Sequence, residues 1–149
     1  MQQGMATIVA TGQTLTRPLH LILLAEAAGH VGQVEEGRRL LAEALTAIEA
    51  SGRGALLAEA YRLQGAFLWR QAEAAQAEAC FQQALAMARH QQAKSLELRA
   101  AISLARLWQQ QGKRAAAHQL LAEVYGWFTE GFATADLQEA RALLAEIAP

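Results

Sequence analysis

A spacing of forty residues runs through this chain and limits what it can fold into. Ala25, Gly65 and Ala105 lie forty apart, as do Ala28, Leu68 and Trp108. The same offset links Gly32, Ala72 and Gly112, then Gly37, Ala77 and Ala117, then Leu41, Phe81 and Leu121. The pairs Ala44-Leu45, Ala84-Leu85 and Val124-Tyr125 close the pattern. A repeat of this length is one supersecondary unit that buries its apolar face against its neighbours.

The unit is helical. Pro18 and Pro149 are the two prolines, so residues 19–148 can form long helices. Alanine and leucine dominate, and both favour helix. The small residues at 25, 65, 105 and at 37, 77, 117 let helices approach closely. Leu41, Phe81 and Leu121 fall one turn past the second set, on the same face, and fill the space between helices. Gly32 and Gly112 suit the left-handed conformation that ends a helix. Ala72 stands where that glycine is missing, so its turn is expected to be built differently.

These signals predict two antiparallel helices per repeat. The first repeat covers residues 17–52, with helices Pro18–Gly29 and Gln33–Ala50 and Thr16 as a cap. The second covers 54–92, with helices Gly54–Gln71 and Glu73–Gln91. The third covers 94–131, with helices Lys94–Gln111 and Lys113–Thr129. Ser51-Gly52 and Gly131 are breaks. Thr134 caps a closing helix within 134–148, Ala135–Ile147, with Asp136 in its first turn. Shifted by forty, residues 44–52 align with residues 4–12, so 3–12 read as the tail of a preceding repeat. The expected layout is therefore one repeat domain, 1–149, forming the C-terminal end of a longer array.

Composition fits a chain of 149 residues with one buried core: 53% of residues are hydrophobic and 18% charged. A net charge of −1 argues against nucleic acid as a partner. The apolar run Leu19–Ala28 is too short to span a bilayer. Lone Cys80 cannot form an internal disulfide, and no secretory leader is recognisable, so a cytoplasmic location is expected.

No phosphate-binding glycine loop, zinc-ligand spacing or nucleophile elbow occurs. His20, His30, His90 and His118 are widely separated and read as surface or groove histidines. Cys80 reads as a packed small residue, lacking a helper base. Glu35, Glu36, Arg38 and Arg39 form a charged helix face, with Glu35–Arg39 at i,i+4 spacing. The expectation is no enzyme, no cofactor and no metal.

The pattern small–x2–large–x3–Gly–x4–Ala–x3–large–x2–Ala-Leu resembles the tetratricopeptide repeat. Tyr61, Gly65, Leu68, Ala77, Phe81, Ala84 and Leu85 match it best. Leu24-Ala25, Gly32, Leu41 and Ala44-Leu45 match in the first repeat, where Gly37 replaces the usual alanine. Leu104-Ala105, Trp108, Gly112, Ala117 and Leu121 match in the third. The closing proline is absent and the period exceeds the usual ~34. The resemblance implies an all-α, tetratricopeptide-like α-solenoid: three helix pairs, a partial N-terminal helix and a C-terminal capping helix.

Residues 23–45 and 75–146 are also similar to the C-terminal repeats of large bacterial signalling proteins. These join a class III nucleotide cyclase or transcriptional regulator domain to a STAND-type ATPase. The runs QQAKSLELRAA, LARLWQQQGK and YGWFTEGFATADL carry the likeness, with Ala133 at a position expected to be acidic. Neither cyclase metal-binding aspartates nor a P-loop lie here, so those activities do not carry over.

By matching positions, the resemblance implies a concave face formed by Leu19, Ile22, Glu26 and His30, then Glu59, Arg62, Ala66, Trp69 and Arg70, then Arg99, Ile102, Arg106, Gln109 and Gln110. Candidate peptide-binding residues are Arg62, Trp69, Arg70, Arg99, Arg106 and Gln109. Four arginines around one tryptophan suit a protein or peptide partner, an acidic one in particular. The competing reading, ordinary surface arginines with Trp69 in the core, stays open. The chaperone-clamp pattern requires Lys, Asn, Asn, Lys and Arg where this chain has Ile22, Glu26, Leu63, Arg99 and Ser103. Only Arg99 fits it. The expected function is a non-catalytic interaction and regulatory module. The alternative is self-association as a homodimer through exposed array ends.

Overall fold

The computed structural model describes residues 16–51, 54 and 56–149. Residues 3–12, read above as a helix tail, lie outside them. The described residues form seven helices: α1 Thr16–His30, α2 Val34–Ser51, α3 Leu57–Arg70, α4 Ala74–His90, α5 Lys94–Gln110, α6 Arg114–Tyr125 and α7 Ala135–Glu146. No strand occurs among them. None of these helices is long and apolar enough to cross a membrane.

Each helix packs on its neighbours in sequence, most extensively α1 on α2, α3 on α4 and α5 on α6. Contacts also skip one helix, joining α1 to α3, α3 to α5 and α5 to α7. This packing is consistent with a helical repeat. Two apolar clusters meet at α3. Ala60, Leu63 and Phe67 face α1 and α2, while Tyr61, Leu68 and Trp69 pack towards α4 and α5.

The positions forty apart are the close contacts. Ala25, Gly65 and Ala105 are buried, as are Gly37, Ala77 and Ala117, and Leu41, Phe81 and Leu121. A Cβ on Gly65 would fall 2.6 Å from Phe81 Cε1 and 3.1 Å from the Ala77 carbonyl oxygen. In the other two repeats the corresponding positions hold Ala25 with Leu41 and Ala105 with Leu121, so the smaller residue accompanies the larger ring. Gly37 has the same kind of cause. A Cβ there would lie 2.7 Å from Phe67 Cζ and 3.1 Å from the Ala25 oxygen.

The turn at Ala72 departs from expectation. It is built like its glycine counterparts, with Ala72 itself at φ 62°. The Glu73 N–H donates to the Leu68 carbonyl at 3.0 Å and the Ala72 N–H to that of Trp69 at 3.0 Å. Gln33 and Gly32 make the same bonds to Ala28 and Gly29, and Lys113 and Gly112 to Trp108 and Gln109. This is the Schellman termination. It recurs between α4 and α5, where Gln92 has φ 55°. Hydrogen bonding and the following helix hold alanine and glutamine in a conformation that costs about 1–2 kcal/mol without glycine.

Several boundaries shift. α1 is described from Thr16 onward, and the reading of Thr16 as its cap falls on a side chain outside the described residues. α3 begins at Leu57 because the Leu57 N–H closes a turn on the Gly54 carbonyl, which also accepts from Gln91 Nε2. α6 stops at Tyr125, not Thr129. Beyond it, Trp127 and Phe128 N–H groups reach back only three residues, and the Trp127 and Phe128 rings pack edge to face at 5.2 Å. Thr134 does cap α7, its hydroxyl accepting from the Leu137 N–H at 3.4 Å.

Gly65→Ala is expected to cost about 1–3 kcal/mol in urea unfolding, as overpacking does. Adding Phe81→Leu should recover most of that loss, recreating the Ala–Leu pairing of the other two crossings. Ala72→Gly and Gln92→Gly should each stabilise by about 1 kcal/mol. Gly32→Ala and Gly112→Ala should destabilise by a similar amount in the same assay.

Candidate functional site

The helices that touch across one intervening helix, α1, α3, α5 and α7, bring together a connected set of charged side chains. Glu59 on α3 is buried, 7% exposed. Its neighbour one turn on, Arg62, donates to Glu59 Oε1 through Nε at 2.7 Å and also through Nη2. Arg99 on α5 approaches from the next helix, with Nη1 3.1 Å from Glu59 Oε2. It also lies 3.8 Å from Glu26 on α1 and 3.8 Å from Asp136 on α7. Arg106, two turns further along α5, meets Glu139 of α7 at 3.0 Å. Glu26 lies 3.7 Å from His30 Nε2.

Arg99 is therefore the hub of four helices. Its guanidinium has three carboxylates within ion-pair range, yet among the described residues none accepts a geometrically sound hydrogen bond from it. Correspondingly, Glu59 Oε2 is buried without a hydrogen bond, although Arg99 Nη1 is near. A gap of about 80 Å³ opens beside this hub, lined by Arg62, Arg99, Ile102, Ser103, Asp136 and Glu139.

The six candidate residues fall into three groups. Arg62, Arg99 and Arg106 come together, each facing carboxylates of this chain. Trp69 is half-buried and packs edge to face on Phe81 at 6.4 Å, against the core. Arg70, at the end of α3, donates to the Gly29 carbonyl, and Gln109 is half-buried near the end of α5. Ile22 and Ile102, expected on the open face, are core residues at 1% and 5% exposure.

Asp136 and Glu139 were not anticipated as partners. The signal was available, since Glu59, Arg99 and Glu139 lie forty apart and alternate in charge. A second cluster was also missed. Glu97, 5% exposed, receives Arg89 Nε at 3.0 Å and Lys94 Nζ at 3.2 Å. Lys94 also sits 5.2 Å from the centroid of the exposed Trp127 ring.

The charged patch at the start of α2 is a surface feature. Arg39 pairs with Glu36 rather than Glu35, its Nε donating at 3.0 Å. That bond holds the Glu36 carboxyl below its usual value and raises the Arg39 guanidinium. Burial pushes the Cys80 thiol up, which disfavours the thiolate. Among the described residues no three His, Cys, Asp or Glu side chains group as a metal site. No protein-family model matches the chain, and no curated protein matches it significantly.

Arg99→Met should cost about 1–3 kcal/mol, because Glu59 stays buried with one partner fewer. Glu59→Gln in that background should restore much of it. Arg106→Met, which removes a more exposed pair, should cost under ~1 kcal/mol in the same denaturation series.

Proposed function

We propose that this chain is a non-catalytic protein-interaction module: a tetratricopeptide-like α-solenoid belonging to a larger bacterial signalling protein of the cyclase or STAND ATPase type. The helical repeat supports this reading. So does the shared turn at Gly32, Ala72 and Gly112, which gives each unit two helices joined alike. In such an array α1, α3, α5 and α7 line one continuous face, and extended faces of this kind hold peptides.

The observation that carries the proposal is Arg99. Its guanidinium lies among carboxylates from three other helices without a hydrogen bond to any of them. Planar guanidinium groups bind a carboxylate through two parallel bonds, a geometry that none of the three carboxylates paired with Arg99 adopts. The surroundings set the ligand's charge. Three arginines, 62, 99 and 106, face four carboxylates, 26, 59, 136 and 139, so a densely acidic segment is repelled. A segment with one carboxylate flanked by neutral residues is the acidic ligand that this surplus of one negative charge opposes least.

Binding can be read by fluorescence polarisation with labelled peptides carrying one or several acidic residues. The single-carboxylate peptides should bind best, and Arg99→Ala should weaken them at least tenfold. Equal affinity for the variant, or no binding to the wild type, would count against the proposal.

A further inference from the structure

A cleft of about 140 Å³ lies between α2 and α3. Leu41, Leu45, Phe67 and Leu68 form its apolar walls, and Arg38 and Gln64 are its polar groups. Shifted by forty, these residues become Phe81, Leu85, Leu107 and Trp108, with Glu78 and Leu104, at the junction of α4 and α5. There the Trp108 indole is half-buried against the core, and its Nε1 donates to Glu78 Oε1 at 3.2 Å. That bond carries an aromatic ring of α5 across to α4.

Between α2 and α3 no such ring is supplied. Leu68 stands in the place of Trp108, and Leu41 is smaller than Phe81. Phe67 is larger than Leu107, but the tip of its ring turns onto Gly37, where a Cβ would lie 2.7 Å from Phe67 Cζ. An apolar cavity of roughly 150 Å³ takes one benzene ring. The cleft therefore has the capacity of a single aromatic ring.

Arg38 sets the chemistry of a ligand. Its Nη1 donates to Gln71 Oε1 at 3.1 Å, which fixes the guanidinium beside the cleft, and the side chain stays 47% exposed. Glu35, 3.8 Å away and 85% exposed, is a solvated neighbour whose charge water screens. At the junction of α4 and α5 a ring nitrogen donates to a carboxylate held by the chain. Here the chain holds the cation, so the complementary ring carries the carboxylate.

We propose that the cleft between α2 and α3 binds a small aromatic carboxylate, its ring among Leu41, Leu45, Phe67 and Leu68 and its carboxylate on Arg38. The ring takes the part of the Trp108 indole, with the polarity of the bond reversed. The site shares no residue with the Arg99 cluster and stands whether or not that face holds a peptide. A free acid is a better occupant than the aromatic side chain of a partner. Among the described residues of α2 and α3 no large hydrophobic side chain is exposed, so nothing apolar beside the cleft would hold a peptide chain.

The test titrates the full, isotope-labelled chain with phenylacetate and follows amide chemical shifts. Saturable shifts should appear at the α2 and α3 residues that line the cleft, and phenylethylamine should produce none there. Arg38→Gln should weaken phenylacetate binding at least fivefold. Leu68→Trp combined with Arg38→Glu rebuilds the Trp108–Glu78 pair, so it should abolish binding and raise the melting temperature. Ala42→Phe, at an exposed position on the rim, should block the cleft without touching the core. No saturation at millimolar phenylacetate, equal binding by Arg38→Gln, or binding that survives Ala42→Phe would overturn the proposal. So would a peptide ending in phenylalanine that occupies the cleft when phenylacetate does not, which would give it to a partner chain.

Discussion

Everything in this structure depends on how closely consecutive helices can cross. The crossing is set by a small residue on one helix and a large one on the next: Ala25 with Leu41, Gly65 with Phe81, Ala105 with Leu121. All six are buried. Interiors pack near crystal density, so added volume on one side must be removed on the other. Gly65 and Phe81 illustrate the exchange, and so do Gly37 and Phe67. Glycine in mid-helix is disfavoured by about 1 kcal/mol relative to alanine, and here close packing against a ring offsets that loss.

From the crossing follow the turn and then the charged face. With helix separation fixed, a three-residue connection must reverse the chain in little space, and the left-handed residue at 32, 72, 92 and 112 makes this possible. Helices one step removed then touch, and polar residues on α1, α3, α5 and α7 come within reach of one another. Glu59 is the most demanding of these, because a buried carboxylate needs cationic neighbours. Arg62 supplies one from its own helix and Arg99 another from the next. The partial engagement of Arg99 is what distinguishes this face from an ordinary surface ion-pair network.

Helices, their order and most of the core were legible from residue type and spacing alone, because burial of one helix face leaves a periodic signature. The capping role of Thr134 was legible for the same local reason. The turn at Ala72 was not, since its conformation is imposed by hydrogen bonds and the following helix against the preference of alanine. The end of α6 at Tyr125 depends on aromatic contacts among Tyr125, Trp127, Phe128 and Phe132 that spacing does not reveal. The arginines were legible as members of one face, but not their pairing. Which carboxylate meets Arg99 depends on side chains from three other helices, and only the three-dimensional arrangement brings Glu26, Glu59 and Asp136 around it. Trp69 could be groove or core on spacing alone. Its half-burial against Phe81 comes from the large ring accommodated at Gly65.

The central claim is that burial follows the forty-residue register at the helix crossings. Cysteine accessibility tests it directly. Ala25→Cys and Ala105→Cys, with Ala133→Cys as the exposed reference, would be introduced one at a time into a Cys80→Ala background, and thiol modification rates measured under native conditions. The account predicts rapid modification at position 133 and protection by at least a hundredfold at 25 and 105. Similar rates at all three positions would contradict it.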